Sequence, residues 1–270
     1  TIDLNNFEKT ITTLALEESL SPTSQYLTSP PIWVQNKPYF PYSSGGMVYT
    51  IENDTIKRID NSFDHGMQYG APVFEHKGTI FKYGGYGFWS VRDFFTYYDK
   101  LQNEWEVLSP IKSKTIPQGI AFPYFIKNQE EIYIFGGTTV NPDNRREQLN
   151  NNEVWIFDFM ETIWNLKGKH DQIEEALIRV PYNKKLLLIQ ENQITTIDIE
   201  KNIKISYNHG TISAQLKGRN YLSYAQGKFY TILANQTGAY LIIIEEKDFF
   251  GKKIEETSFY KNKGYWLKQG

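Results

Sequence analysis

The sequence predicts an all-β protein built from repeated small antiparallel sheets, and three observations carry that prediction. Aromatic residues fill 16% of the 270 positions, with 19 Tyr and 17 Phe, and such side chains favour pleated, half-buried strands over helices. Short apolar or alternating runs recur along the chain, each bounded by Gly, Asn or Asp at positions suited to turns. One order of elements also occurs twice, and a repeat of about 20 to 50 residues decides a whole architecture.

The first copy reads Gly-Thr-Ile-Phe-Lys-Tyr-Gly-Gly over Gly78–Gly85, then a loop, then an aromatic run ending at Asp99, then Glu-Trp-Glu-Val-Leu over Glu104–Leu108. The second reads Glu-Ile-Tyr-Ile-Phe-Gly-Gly over Glu131–Gly137, a longer loop, Glu-Val-Trp-Ile-Phe-Asp over Glu153–Asp158, and Ile-Trp-Asn-Leu over Ile163–Leu166. The spacing from Asp99 to Trp105 equals that from Asp158 to Trp164, although the preceding loops differ in length. The paired glycines suit a sharp strand exit that a Cβ would obstruct, and each Trp offers a large area to bury.

In this order of elements the chain resembles the kelch repeat: an apolar strand ending in a Gly pair, a variable loop, an aromatic strand, and a Trp on the next strand. The resemblance is carried by two units, about residues 78–108 and 131–166, and implies a β-propeller. Three further stretches keep the four-strand rhythm without the signature. The first runs from Pro31 to about Ile59 and lacks the Trp. The second covers Ala176 to Ser206, with Lys204 standing where the Trp would be. The last covers Asn220 to Phe259, with its fourth strand expected at Lys253–Phe259.

The expected architecture is therefore a kelch-type β-propeller of five four-stranded blades, with six blades or an incomplete ring as alternatives. Residues 31–270 would form the propeller. Residues 1–30 would be an N-terminal segment or linker, with Ile11–Leu16 a ring-closing strand or a short helix.

Composition excludes several function classes. A net charge of −2 and a pI near 6.1 leave no broad basic field, so no nucleic-acid partner is expected. The longest apolar stretch, Ala239–Ile244, is far short of the roughly 20 residues of a membrane helix, so no transmembrane segment is expected. The chain has no Cys, which removes disulfides, thiolate metal sites and cysteine nucleophiles. It also removes the copper radical oxidases found among kelch-type propellers, which need a Cys joined to a Tyr. The four His are isolated in sequence, so neither a metal site nor a cofactor is implied. Tyr83–Gly87 is glycine-rich but lacks the Lys-Ser/Thr and the helix of a phosphate loop. The chain starts at Thr1, and a secreted or periplasmic location with the leader removed is left open.

The resemblance places ligands on the face formed by the loops between second and third strands and the loops between blades. The residues expected there are Tyr86, Phe88, Trp89 and Arg92 from one repeat, and Arg145 and Arg146 from the next. His65, Tyr69 and Gln118 come from the inter-blade loops. Flat aromatic surfaces and bidentate Arg suit a protein or glycan ligand. The expected function is a non-catalytic recognition module, one that could serve as the sensor part of a larger chain. A small carbohydrate-active enzyme, an epimerase, mutarotase or glycosidase, is the alternative. Glu75, Asp93, Glu153 and Glu175 are its candidate carboxylates.

Overall fold

A computed structural model describes residues 14–18, 20, 31–42, 45–63, 65–109, 111–144, 147–210, 213, 216, 222–235 and 238–262, with backbone only at 233–235 and 238–240. The protein is all-β, with five small sheets in the arrangement of a five-bladed β-propeller. By internal contacts the chain divides into two compact units. One holds residues 1–111, 118–123 and 137–149, and the other holds 112–117, 124–136 and 150–270.

The first unit contains two blades. Blade 1 is built from Ala15–Leu16 (β1), Ile32–Val34 (β2), Lys37–Pro41 (β3), Val48–Glu52 (β4) and Thr55–Arg58 (β5), ordered β1-β5-β4-β3-β2. The short β1 pairs in parallel with the edge strand β5, so this part of the segment left as strand or helix is strand. Blade 2 is built from Val73–His76 (β6), Thr79–Tyr83 (β7), Phe95–Asp99 (β10) and Glu104–Val107 (β11). Between β7 and β10 the chain makes a small hairpin, Tyr86–Gly87 (β8) with Ser90–Val91 (β9). Val34, Tyr39 and Val48 of blade 1 bury against Ile80 and Tyr98 of blade 2. Trp105 fixes the same pair of blades, donating from Nε1 to the Gly46 carbonyl at 2.7 Å. The buried Lys82 lies 4.4 Å from the Trp105 ring centre and donates to the carbonyls of Tyr42 and Gly45, which offsets the cost of sequestering its charge.

The second unit contains three blades. Blade 3 comprises Tyr124–Asn128 (β12), Glu131–Phe135 (β13), Glu153–Asp158 (β16) and Ile163–His170 (β17). The excursion between β13 and β16, whose residues 137–149 belong to the first unit, carries the two short strands Thr138–Val140 (β14) and Gln148–Asn150 (β15). Blade 4 comprises Ile178–Tyr182 (β18), Lys185–Ile189 (β19), Ile194–Asp198 (β20) and Ile203–His209 (β21). Blade 5 has three strands among the described residues: Leu222–Ala225 (β22), Lys228–Asn235 (β23) and Gly238–Glu245 (β24).

A four-residue helix, Glu246–Phe249 (α1), then turns the chain back. The following strand, Phe250–Ser258 (β25), does not complete blade 5 as the sequence reading expected. It pairs instead with β21 at the edge of blade 4, and Tyr260–Asn262 (β26) pairs with β17 of blade 3. Most of β25 is exposed, so its sequence carries no buried face to specify a sheet, and an unpaired neighbouring edge takes it.

The second strand of blades 2, 3 and 4 shows why the repeats read as apolar runs. β7, β13 and β19 share one pattern, a half-buried first residue followed by four buried ones, because both faces of a central propeller strand are covered. The Asp-to-Trp spacing has an equally local cause. Asp99, Asp158 and Asp198 each accept backbone N–H groups from the turn that follows. Four residues after each Asp comes a residue at positive φ, Asn103, Thr162 and Asn202, after which the next strand begins. Blade 4 thus keeps the turn of the repeat although it has lost the Trp.

Candidate functional site

Within the first unit the loop from Gly84 to Arg92 is held on a pedestal of backbone hydrogen bonds. Gly84 and Gly85 leave β7 at φ +71° and +101°, where a Cβ would lie 2.3 Å from the Ile120 carbonyl and 2.6 Å from the Gln68 backbone. Only glycine fits so close an approach. Tyr69 and Tyr86 exchange N–H to carbonyl bonds at 3.0 and 2.8 Å. The Gly85 N–H donates to the Ile120 carbonyl, and the Ile120 N–H donates to the Arg92 carbonyl. Three chain segments thereby fix the base of the β8–β9 hairpin.

Phe88 and Trp89 form the tip of that hairpin, a two-residue turn with φ of +47° and +64°. Positive φ at both centres is the type I′ geometry that matches strand twist and normally selects Asn and Gly. Here both residues are large and apolar, and they are 65% and 91% exposed. Phe122, also at positive φ and 41% exposed, packs edge-on to Tyr69 at 5.3 Å between ring centres. Among the described residues, Phe88, Trp89 and Phe122 are the aromatic side chains at positive φ, and all three belong to this loop cluster. The other non-glycine residues so placed are Asn, Asp, Gln, Lys and Thr.

The remaining expected site residues are placed as follows. Arg92 turns inward, its guanidinium donating to the Gly87 carbonyl at 2.8 Å, so it braces the hairpin. Its Nε is buried without a hydrogen-bond partner, and its guanidinium carbon lies 5.8 Å from the Phe94 ring centre. His65 accepts the Met67 N–H at Nδ1 and meets Phe63 edge-on. Gln118 lies beside the hairpin's support, where its Oε1 accepts from the Thr139 hydroxyl at 3.4 Å. Arg145 and Arg146 lie outside the described residues. The structure therefore brings together Tyr69, Tyr86, Phe88, Trp89 and Arg92. The sequence reading missed Phe122, because a Phe preceding Pro123 carries no sign of a left-handed backbone; residues before proline ordinarily extend.

Phe88 and Trp89 thus form a solvent-exposed aromatic tip on a base tied by backbone hydrogen bonds. The candidate carboxylates are engaged in local structure or lie in the open. Glu75 accepts the Gly78 N–H at 2.7 Å, Glu153 accepts the Trp155 Nε1–H at 2.8 Å, and Asp93 and Glu175 are exposed. In the second unit, His170 is a core residue. Its Nε2 accepts the Gly136 N–H at 3.2 Å, its Nδ1 donates to the Asp171 carbonyl at 2.6 Å, and its ring stacks on Phe259. Burial holds its pKa below the usual histidine value. Among the described residues no group of three or more His, Asp or Glu is arranged to hold a metal ion, and no helix is long and apolar enough to cross a membrane.

No family model matches this chain, and no curated protein matches its sequence. Solved structures do match. One is the structure of YjhT, which aligns with a TM-score of 0.55 at 15% identity, over 76% of this chain and 72% of that chain. At that identity the likeness concerns the fold, and it stands with the blade arrangement described above.

Proposed function

We propose that this chain is a non-catalytic recognition module on a kelch-type propeller, and that the aromatic loop cluster of its first unit is the contact surface for a polypeptide partner. One observation carries the reading: three large aromatic side chains are held at positive φ, and two of them, Phe88 and Trp89, are left largely in solvent. A non-glycine residue in that backbone region costs on the order of 1 to 2 kcal/mol. For Phe88 and Trp89 no burial within the chain offsets that cost, so a bound partner is the natural source of compensation. Small ligands are taken up in concave sites, whereas a protruding tip needs a partner that supplies the cleft, and buried Trp anchors dominate such interfaces. The repeat signature in blades 2 and 3 supports the kelch kinship.

The test is selection of a random peptide display library on the intact chain and on a variant carrying Phe88→Asn and Trp89→Gly. Peptides enriched on the native protein should fail to bind the variant. Equal enrichment on both would refute the assignment, and hits confined to a glycan array and lost in the variant would move the ligand class to sugars. The carbohydrate-active alternative has less support, since Glu75 and Glu153 serve turns and strands.

A further inference from the structure

At the opposite end of β10 from the hairpin, blades 1 and 2 line an open pocket of about 460 Å3. Its charged lining is Lys37, Arg58 and Lys100 against the single carboxylate of Asp60. Asp60 is fully occupied. Its side chain is shielded from solvent and accepts from the Val48 and Ser62 N–H groups and from two nitrogens of Arg58. Arg58 and Asp60 therefore form a neutral floor, and Tyr98 closes it by donating to the Ile59 carbonyl at 2.8 Å.

The two lysines remain. Both ammonium groups lie against the ring of Tyr39, Lys37 at 5.5 Å and Lys100 at 5.3 Å from its centre. Lys37 pairs with Glu52, a carboxylate it shares with Lys57. Lys100 donates to the Gly78 carbonyl at 2.7 Å. Partial burial, and then the repulsion of Lys37, lower the pKa of Lys100 against a weaker opposing pull from Glu75. Glu52 balances only one of Lys37 and Lys57, and Asp60 is paired with Arg58, so the cluster keeps a net positive charge beside a polar cavity, which a bound anion would offset.

We propose that this pocket is a binding site for a small anion, a carboxylate or a phosphate, held by the ammonium groups of Lys37 and Lys100 beside Tyr39. The volume is at the small end of ligand pockets, which limits the ligand to one or two ring-sized groups. The site is independent of the aromatic hairpin and stands whether or not that surface binds a partner.

The experiment is calorimetric titration of the full chain with inorganic phosphate and with citrate, at constant ionic strength set by chloride. Native protein should bind one of them with a dissociation constant of about 1 mM or tighter. Lys100→Gln should weaken that binding at least about tenfold, as expected for loss of one charge-assisted hydrogen bond, and Lys37→Gln should do so as well. Lys112→Gln, in the second unit, should leave it unchanged. Absence of heat from both anions overturns the proposal. So does equal weakening by all three variants, which would mark a diffuse charge effect. Melting curves of each variant show that it is folded, and two pocket variants keep the test intact should one fail.

Discussion

Two hairpin turns of this chain have the same length and the same backbone, and they differ in what they hold. Asn183–Lys184 joins β18 to β19, and Phe88–Trp89 joins β8 to β9; in both, the two central residues have positive φ. Four other hairpins do the same with Gln35–Asn36, Asn53–Asp54, Lys77–Gly78 and Gln226–Gly227. Five of the six turns carry Asn, Asp, Gly or long polar residues, which tolerate that backbone or hydrate easily. The sixth carries two aromatics. The chain elsewhere meets the same geometric need with ordinary turn residues, so the backbone of this turn does not by itself call for Phe88 and Trp89.

The contrast is sharpest against an aromatic that folding does require. Trp164 is 4% exposed, with its ring 5.0 Å from Phe157, while its backbone N–H donates to the Ser113 hydroxyl. Trp164→Ala should destabilise the protein by about 3 to 5 kcal/mol, read from urea unfolding. Trp105, half-buried with one hydrogen bond to the neighbouring blade, should cost less on the same substitution. A near-neutral Trp164→Ala would mean that the third blade does not depend on this packing.

The opposite sign is expected at the turn. Phe88→Asn combined with Trp89→Gly should raise stability by about 1 to 2 kcal/mol, since it removes left-handed strain and exposes no core. The two experiments together separate aromatic residues that hold blades from aromatic residues that face outward. A loss of stability in the double variant would show that the rings pack on their neighbours in solution, and the recognition reading would lose its main support.

What the sequence made legible follows the same division. The Gly pairs and the Asp-to-Trp spacing could be read because backbone geometry at Gly84, Gly136, Asp99 and Asp158 admits few residue types. Blade 4 could be placed without its Trp by the alternation of its strands and its turn residues, and Asp198 does end its third strand as Asp99 and Asp158 end theirs. The fate of β25 could not be read, since an exposed strand carries no face that names its neighbour. Tyr86, Phe88 and Trp89 could be named because the resemblance put their loop on the expected ligand face, whereas the inward turn of Arg92 depends on the Gly87 carbonyl, whose direction only the folded hairpin sets. The Lys37 and Lys100 pocket joins residues from different blades and had no local signal.

The two Gly-pair exits also differ in how they are held. Gln68 reaches the Gly84 carbonyl through a long amide contact of 3.4 Å, and a ring nitrogen of His170 accepts the Gly136 N–H. Only the second is titratable. Protonating His170 at Nε2 would turn that acceptor into a donor facing another donor. Its folded pKa lies below the unfolded value near 6.5. Between those two values the unfolded chain binds more protons, so stability falls as pH drops through that window and is recovered above it. Urea midpoints measured in steps down from neutral pH should show this slope, and His170→Gln should flatten it. An unchanged slope in the variant would assign the acid sensitivity to another group.

The smallest expected effect tests the Asp turns against one another. Asn103, Thr162 and Asn202 occupy the same positive-φ position after Asp99, Asp158 and Asp198. Asn is tolerated there, while a β-branched residue is strained by its second Cβ substituent. Thr162→Asn should therefore stabilise the protein by about 0.5 to 1 kcal/mol, detectable as a small rise in the urea midpoint at constant slope. The opposing contribution is the Thr162 hydroxyl, which donates to the Glu161 carbonyl at 2.7 Å in an exposed setting and so adds little. A loss of stability would show that this bond, or the Lys112 N–H held by the Thr162 carbonyl, fixes the turn more tightly than its backbone strain loosens it.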